Sequence, residues 1–385
     1  MRFPFEHSSL APPTAMHALP YFTSVLALLL IVLPVHAQNT PTSSDAPAYQ
    51  DASLPIDQRI DDLVERMTLE EKVAQMISIH NEKSSFTDEG GTFNPENPTR
   101  WFEVGIGRIE RPSENHTARE VAEYTNAIQR WVQENTRLGI PVLFHEEGLH
   151  GVQAAQSTSF PIPMAMASSW NPDLVEDIYE VVANDIRARG SHQALTPVVD
   201  VTRDPRWGRI EETFGEDPYL TSRLSVASVL GLQGDASFDE KRRVIATLKH
   251  MTGHGQPESG HNTAPASLSE RQLWEVFFPP FEAAIKEGGA LSVMASYNEI
   301  GGIPSHTNQW MLRDVLREQW GFDDVIVSDW YAIYQMITEH EVAADTADAA
   351  RQALNATVDI DLPDGETYTT LVEQVENGAV SESAI

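Results

Sequence analysis

The stretch "DDVIVSDWYAI", residues 323–333, is a run of β-branched residues that ends in an aspartate and two aromatic residues. Burying an ionised carboxylate at the end of an apolar strand is costly unless another group pairs with it or hydrogen-bonds it. Asp329 is therefore either a turn residue that ends the strand or a reactive group at the mouth of a core.

Polar clusters also follow four other apolar runs, at "FHEEGLHG" (144–151), "VVDVTRDPRWGRIEETFGEDP" (198–218), "TLKHMTGHG" (247–255) and "MASYNE" (294–299). Any one of them could be an ordinary turn, because Asp, Asn, His and Gly are common there. Together they offer carboxylates, cations and tryptophans. A retaining glycosidase needs an ionised carboxylate as nucleophile and a protonated one as acid, roughly 5 Å apart. The clusters therefore indicate a sugar site.

Other catalytic and metal-binding patterns fit the sequence poorly. His145 and His150 are five residues apart, whereas the helical zinc motif needs a spacing of four. His250 and His254 have that spacing, but the glycines on both sides of His254 would interrupt a helix. No serine-nucleophile elbow, phosphate-binding loop or dinucleotide fingerprint is present, and there is no cysteine. The sequence implies no metal and no cofactor.

The composition describes a globular protein with a strong negative charge. The chain has 385 residues, of which 26 are basic and 57 acidic, and its net charge is −31. This charge repels phosphate backbones and anionic surfaces, so nucleic acid and membranes are poor partners. Neutral, polyhydroxylated substrates remain compatible with it.

The N-terminus is typical of an exported protein. Within "YFTSVLALLLIVLPVHAQ" (21–38) an apolar run of about fourteen residues is too short for a membrane span and suits a signal peptide. We expect cleavage after Ala37, with an uncleaved anchor or a start at Met16 as alternatives. Residues 38–54 are rich in Ser, Thr, Pro and Ala and are predicted to be a linker. The mature protein would be secreted or periplasmic.

The remainder alternates short apolar runs with amphipathic ones, which predicts parallel strands covered by helices. Helices are predicted over Thr117–Leu138, Asn171–Gly190 and Ser267–Gly288. The range Asn171–Gly190 begins with Asn-Pro, which is typical of a helix start. Eight strands, the number that closes a (β/α)₈ TIM-like barrel, are predicted at Val73–Ile79, Gly105–Glu110, Ile140–Glu147, Gln193–Asp200, Arg243–His250, Ala290–Asn298, Asp324–Asp329 and Thr357–Pro363.

The residues are recognisable as a whole. The chain resembles glycoside hydrolase family 3, the retaining β-glucosidase and β-xylosidase family, from about residue 56 to residue 365. The resemblance rests on "IDDLVERMTLEEKVAQM", "RLGIPVLFHEEGLHG", "DVTRDPRWGRIEETFGEDPYL", "ATLKHMTGHGQPESG", "VMASYNEIGGIPSHTN", "GFDDVIVSDWYAI" and "DIDLPDG", which occur in the family's order.

The resemblance implies roles for seven residues. Asp329 falls at the family's nucleophile, and Trp330 at an aromatic platform near the sugar. Glu147 falls where an acidic residue, often aspartate, grips sugar hydroxyls. The remaining positions, matched to hydroxyl-binding groups and to a tyrosine near the nucleophile, are Arg209, Lys249, His250 and Tyr297. The neighbouring cations should lower the pKa of Asp329 and keep it ionised.

Two departures from the family pattern limit what can be assigned. Most members carry the general acid/base glutamate in a C-terminal α/β sandwich domain, so we expect residues 55–385 to be an incomplete catalytic barrel domain whose acid lies beyond Ile385. The hexosaminidase branch instead uses a His–Asp dyad in the loop that here reads "KHMTGHGQPESGHN", but Gly260 stands where the dyad's aspartate would be. A β-N-acetylhexosaminidase is therefore less consistent with the sequence.

The resemblance implies hydrolysis of terminal non-reducing β-D-glucosyl residues from a small β-linked oligosaccharide or glycoside. A β-xylosidase is the nearest alternative, because xylose differs from glucose only in lacking the C6 hydroxymethyl group. The preference depends on whether the site has room for that group. A non-catalytic barrel that binds a glycan without cleaving it is the alternative from a different functional class.

Overall fold

The structure is a computed structural model that describes residues 46–96, 100–114, 116–238 and 241–385. The predicted signal peptide (1–37) and residues 38–45 of the predicted linker lie outside the described residues. The rest of that linker contains one turn of 3₁₀-helix, Ala48–Gln50. Within the described ranges, no helix is long and apolar enough to cross a membrane.

A curled parallel sheet of seven strands forms the centre of the fold. The strands follow one another in chain order, β1-β2-β3-β4-β5-β6-β9, while β7 and β8 form a separate antiparallel pair. The strands are β1 (Ser78–Ile79), β2 (Arg108–Glu110), β3 (Leu143–Glu146), β4 (Gln193–Ala194), β5 (Ile245–Met251), β6 (Ser292–Ala295), β7 (Glu299–Ile300), β8 (Ile303–Pro304) and β9 (Val325–Val327).

Helices cover the outer face of this sheet, as the alternating pattern predicts. Several of them start at side-chain caps, among them those provided by Thr117, Asn171 and Asp217. The helices are α1 (Ile56–Arg66), α2 (Leu69–Gln75), α3 (Arg100–Val104), α4 (Ala118–Asn135), α5 (Pro163–Ala167), α6 (Pro172–Ala188), α7 (Pro218–Gln233), α8 (Glu270–Gln272), α9 (Phe278–Lys286), α10 (Ala332–Thr338), α11 (Thr346–Asn355) and α12 (Leu371–Glu376), with π-helical turns at Leu273–Phe277 and Trp310–Gln319.

The predicted first strand is wrong over most of its length. Residues 73–75 belong to α2, because Thr68 and Glu71 form a capping box: the Glu71 amide donates to Thr68 Oγ1 at 3.3 Å and the Thr68 amide donates to Glu71 Oε2 at 2.9 Å. Only Ser78 and Ile79 pair with β2. A strong local helix start outweighs the apolar run that follows it.

The predicted eighth strand, Thr357–Pro363, is not a strand in the structure. Two single parallel bridges are found there instead, one between Val327 and Ile360 and one between Ile77 and Asp361. The segment thus contacts both β9 and the residue before β1. The described fold is a curled seven-stranded parallel sheet whose two edges are joined by this short segment.

The concave face of the sheet holds a polar layer beneath an apolar one. Gln193 donates to Thr247 Oγ1 at 2.8 Å and to Ser292 Oγ at 3.1 Å, and it accepts a hydrogen bond from Arg108. Because these buried groups are hydrogen-bonded, their burial is tolerated. Toward the carboxyl ends of the strands the layer becomes apolar, with Leu195, Met294, Val327, Ile360 and Leu362.

Asp361 should contribute to stability because its buried carboxylate holds the joining segment. Its Oδ2 accepts hydrogen bonds from the Thr367 amide at 3.1 Å, the Thr367 hydroxyl at 2.8 Å and the Tyr368 amide at 3.1 Å. We expect Asp361→Ala to leave these donors unsatisfied and to lower the free energy of unfolding by about 2–4 kcal/mol in urea titrations. Asp61→Ala, at an exposed position of α1, should change it by no more than about 0.5 kcal/mol.

Candidate active site

The structure brings all seven predicted site residues to the carboxyl ends of the strands. Glu147 follows β3, Lys249 and His250 lie in β5, and Asp329 follows β9 by two residues. Parallel strands direct the loops that follow them to one rim, so residues far apart in the chain meet there. The others are Arg209 in the loop after β4, Tyr297 after β6 and Trp330 after Asp329.

One oxygen of the Asp329 carboxylate accepts a hydrogen bond, and the other has no hydrogen-bond partner among the described residues. The Trp330 amide donates to Oδ1 at 2.7 Å, while the Asp329 amide itself donates to His306 Nε2 at 3.0 Å. Oδ2 is buried, has no hydrogen-bond partner among the described residues, and lies 3.6 Å from His250 Nε2. The arrangement fixes the carboxylate while leaving one of its oxygens without a hydrogen bond from the described residues.

The predicted direction of the Asp329 pKa shift is wrong. The pKa of Asp329 is raised above its ordinary value of 3.8, because burial outweighs the lowering effects of Arg209, the Trp330 amide and Lys249. The cations do act in the expected direction. Removing the carboxylate from water is the larger effect, and its size cannot be read from a sequence.

Arg209 is held rigidly by a residue that sequence reasoning left outside the site. Its guanidinium forms two hydrogen bonds with Glu212, at 2.8 Å and 2.9 Å. The same guanidinium places Nη2 3.0 Å from His250 Nε2. Such a fork-to-fork pair fixes orientation as well as charge. Glu212 thus orients the group that faces the imidazole.

Glu147 lies between two cations. Lys249 Nζ is 2.9 Å from Glu147 Oε2, and Arg111 Nη2 is 3.8 Å from Oε1. Although burial raises the pKa of Glu147, the two cations outweigh it and the pKa is lowered. The Glu147 side chain is 28% exposed and Lys249 only 6%, so the carboxylate is the part of this pair that a ligand can reach.

Trp330 is fixed from two sides. Its indole Nε1 donates to Glu110 Oε2 at 2.9 Å, and the Arg111 guanidinium lies over the ring, 4.8 Å from the centroid. The Tyr297 hydroxyl donates to the Trp330 carbonyl at 2.9 Å. Burial and the nearby Asp329 carboxylate raise the pKa of Tyr297. The indole therefore has a defined position and can act as a flat wall for a ligand.

Sequence reasoning missed four residues of the rim: Glu110, Arg111, Asp200 and His306. A signal was present for two of them, because Glu110 and Asp200 are the last residues of predicted strands, as Asp329 is. Arg111 immediately follows Glu110 and had no separate signal. His306 lies in a 3₁₀-helical turn after β8 and reaches Asp329 only through the tertiary structure.

Among the residues that the structure describes, Asp200, His250 and His254 have ligand atoms close enough for a shared metal ion, all within 4.8 Å of one another. Both ring nitrogens of His250 are already engaged, Nδ1 with Asp200 at 2.8 Å and Nε2 with Arg209 at 3.0 Å. Arg209 also adds a positive charge next to the cluster. The hydrogen bonds therefore favour an imidazole held between protein groups over a metal ligand.

Comparison with known proteins gives consistent results. The family model described as glycosyl hydrolase family 3 N terminal domain matches residues 68–385. A β-xylosidase of Formosa agariphila is 43% identical over 240 residues, covering 60% of this chain and 33% of the relative. A periplasmic β-glucosidase of Salmonella typhimurium is 34% identical over 324 residues, covering 84% of this chain and 39% of the relative.

The fold comparison agrees. The structure of a β-glucosidase from Erythrobacter marinus superposes with a TM-score of 0.81 at 37% identity, covering 88% of this chain and 44% of that one. The chain thus spans less than half the length of these three proteins.

Two adjacent carboxylates, Glu146 and Glu147, should respond differently to pH. Glu146 is buried on the other side of β3, where it accepts a hydrogen bond from the Ser113 amide at 3.0 Å, and burial raises its pKa to about 7. Between its ordinary pKa and that value, the folded state keeps a proton that the unfolded chain has lost. The contribution of Glu146 to stability is therefore complete at low pH and falls as pH rises.

We expect the stability of the wild type relative to Glu146→Gln to fall by about 2 kcal/mol between about pH 5 and about pH 7 in urea titrations. Glu147→Gln is the matched control, because the pKa of Glu147 is lowered and the group is ionised in both states over this range. Its difference from the wild type should stay constant there. Parallel curves for all three proteins would contradict the buried, protonated Glu146.

Proposed function

The chain belongs to glycosyl hydrolase family 3, and on that premise we propose that it carries the catalytic site of a retaining, exo-acting β-glycosidase that releases terminal β-D-glucosyl residues. The observation that supports this most is Asp329 Oδ2, a buried carboxylate oxygen with no hydrogen-bond partner in the described part of the chain. It lies beside His250 and under the influence of Arg209 and Lys249.

In the proposed reaction, Asp329 Oδ2 attacks the anomeric carbon and forms a glycosyl ester. The bond to the leaving oxygen breaks with its electron pair, and that oxygen takes a proton from an acid. Water then attacks the same carbon, passes a proton to the conjugate base of the acid and releases Asp329 as a carboxylate. Each step uses one oxygen of Asp329, while the Trp330 amide holds the other in place.

The groups around Asp329 are suited to hold a pyranose. Glu147 accepts hydrogen bonds from hydroxyls, and Lys249 and Arg209 donate to them. Trp330 offers a flat aromatic face next to the nucleophile, held by Glu110 and Arg111. A small number of oriented polar groups beside an aromatic wall is the usual composition of a small-molecule site.

A second candidate is a β-xylosidase. It is favoured by the name of the Formosa agariphila relative, which is the more similar of the two relatives per aligned residue. The two sugars differ by the C6 hydroxymethyl group, and a pocket can discriminate such a group by about 10- to 200-fold. The same nucleophile and the same hydroxyl-binding residues would serve both substrates.

The parts of the chain outside this site fit the same proposal. We take residues 1–37 as a signal peptide, 38–54 as a linker and 55–385 as a catalytic domain, whose segment around Ile360 and Asp361 closes a (β/α)₈ barrel. The protein would be secreted or periplasmic, as the name of the Salmonella typhimurium relative supports. The acid would come from a second domain, as the resemblance implies.

Asp329 can be tested on this chain with a probe that needs no acid. A 2,4-dinitrophenyl 2-deoxy-2-fluoro-β-D-glucoside has a leaving group that departs unprotonated, and the fluorine traps the glycosyl ester. We expect mass spectrometry to find the sugar on Asp329, and Asp329→Asn to slow labelling by at least about 10³-fold. The labelling rate should rise with pH through the pKa of Asp329, which lies above 3.8, because only the carboxylate attacks.

The control is Asp324→Asn, the same change at an exposed position just before β9. It should label like the wild type. Labelling that persists in Asp329→Asn, or that falls on a different carboxylate, would refute the assignment. A wild type that binds glucosides but is never labelled would instead support a sugar-binding barrel without catalysis.

The same labelling reaction can measure the preference for glucose over xylose. We expect the glucosyl probe to label the wild type about tenfold faster than the matching xylosyl probe at equal concentration, since its hydroxymethyl group adds contacts. The ratio of the two second-order rate constants is the measurement. A ratio reversed in favour of xylose would replace the glucosidase with the second candidate.

A further inference from the structure

Asp200 is a buried carboxylate at the rim for which the proposed reaction gives no role. Its side chain lies directly behind His250, with Oδ2 accepting from the His250 backbone amide at 3.0 Å and lying 2.8 Å from His250 Nδ1. Its Oδ1 has no partner among the described residues. A buried carboxylate is costly, so both of its contacts with one histidine call for a functional explanation.

The position of the His250 proton follows from the neighbours of the ring. Arg209 Nη2 lies 3.0 Å from Nε2, and a guanidinium can only donate hydrogen bonds. In this arrangement Nε2 presents its lone pair to Arg209. In a neutral ring the proton then lies on Nδ1, where it is donated to Asp200 Oδ2. The backbone amide of His250 donates to the same oxygen, which keeps that oxygen an acceptor.

The opposite tautomer would change the environment of the nucleophile. Nε2 is 3.6 Å from Asp329 Oδ2, the oxygen that the proposed reaction uses. A proton on Nε2 would oppose the Arg209 donor and turn toward that oxygen. A hydrogen bond there would stabilise the unreacted carboxylate and weaken its attack.

We propose that Asp200 is a positioning residue that holds the imidazole proton of His250 on Nδ1, so that Asp329 Oδ2 stays free of a hydrogen bond from the ring. The effect on rate rests on the proposed function, because it presumes that Asp329 is the nucleophile. The position of the proton does not depend on it.

The groups around His250 favour a neutral imidazole ring. Arg209 faces its Nε2, Lys249 precedes it in β5, the His254 ring lies 4.6 Å away edge-on, and Asp200 and Asp329 flank its two nitrogens. Burial and the positive neighbours lower the pKa of His250 well below its ordinary value. The ring therefore stays neutral, and only the tautomer needs to be set.

The first measurement is the tautomer itself. Two-bond ¹⁵N–¹H correlation spectra of the ¹⁵N-histidine-labelled chain distinguish a protonated Nδ1 from a protonated Nε2, and the spectrum of His250→Gln identifies the signal that belongs to His250. We expect a protonated Nδ1 and an unprotonated Nε2 in the wild type. A wild-type His250 with its proton on Nε2 overturns the proposal before any variant is made.

The second measurement compares Asp200→Ala with Asp200→Asn. The alanine variant removes the acceptor, whereas the asparagine variant keeps an oxygen at the place of Oδ2, because the His250 amide there requires an acceptor. We expect Asp200→Ala to shift the tautomer toward Nε2–H and to lower the maximal labelling rate by at least about 30-fold with little change in probe affinity. Asp200→Asn should keep the Nδ1–H tautomer and label within about threefold of the wild-type rate, because its amide oxygen still accepts from Nδ1 and from the His250 amide.

Glu71→Gln is the control for the loss of one buried carboxylate, since Glu71 caps α2 and pairs with Arg137. It should leave both readouts unchanged. The proposal fails if Asp200→Asn, which is built to fold, loses the Nδ1–H tautomer as well. It also fails if Asp200→Ala changes the tautomer without slowing labelling. A wild type that shows the Nδ1–H tautomer but is not labelled at Asp329 refutes the proposed function and leaves the tautomer assignment standing.

Discussion

The burial of one unpaired carboxylate oxygen, Asp329 Oδ2, is the constraint around which the rim is organised. Such an oxygen is unfavourable in a protein interior, so the surrounding structure must hold it there. The Trp330 amide and His306 fix the rest of the residue, which prevents the carboxylate from turning toward a partner. Arg209 and Lys249 lower its pKa by charge, yet both are tied to other carboxylates.

Four of the seven proposed site residues have a carboxylate behind them. Glu212 holds Arg209, Glu147 holds Lys249, Asp200 holds His250 and Glu110 holds Trp330. Buried donors held in this way keep one orientation, and behind Arg209 and Lys249 the supporting carboxylate also neutralises part of the charge that burial would penalise. The same pairing keeps the cations from closing onto Asp329. The site therefore exists before a ligand arrives, which is the condition for electrostatic stabilisation without rearrangement.

Sequence reasoning proposed site residues that the structure brings to one rim, and it missed most of the residues that support them, for a physical reason. Asp329, Glu147 and Lys249 were proposed because they follow apolar runs and match family motifs, and membership of the family is confirmed by the match over residues 68–385. Three of the four supporting contacts join distant parts of the chain; Glu110 and Trp330 are 220 residues apart. No local pattern encodes such a pair. The prediction of the first strand failed for the opposite reason, because a local capping box at Thr68 outweighed the apolar run that follows it.

The raised pKa of Asp329 is compatible with its proposed role as a nucleophile. Counting nearby cations predicted a lowered pKa, because a count of charges leaves out the water that burial removes. That loss of solvation destabilises the carboxylate relative to any neutral product, whether the product is the protonated acid or a glycosyl ester. A buried oxygen that binds a proton more readily is, by the same argument, one that bonds more readily to an electron-poor carbon. Arg209 and Lys249 then limit the shift by their positive charge, which favours the ionised form.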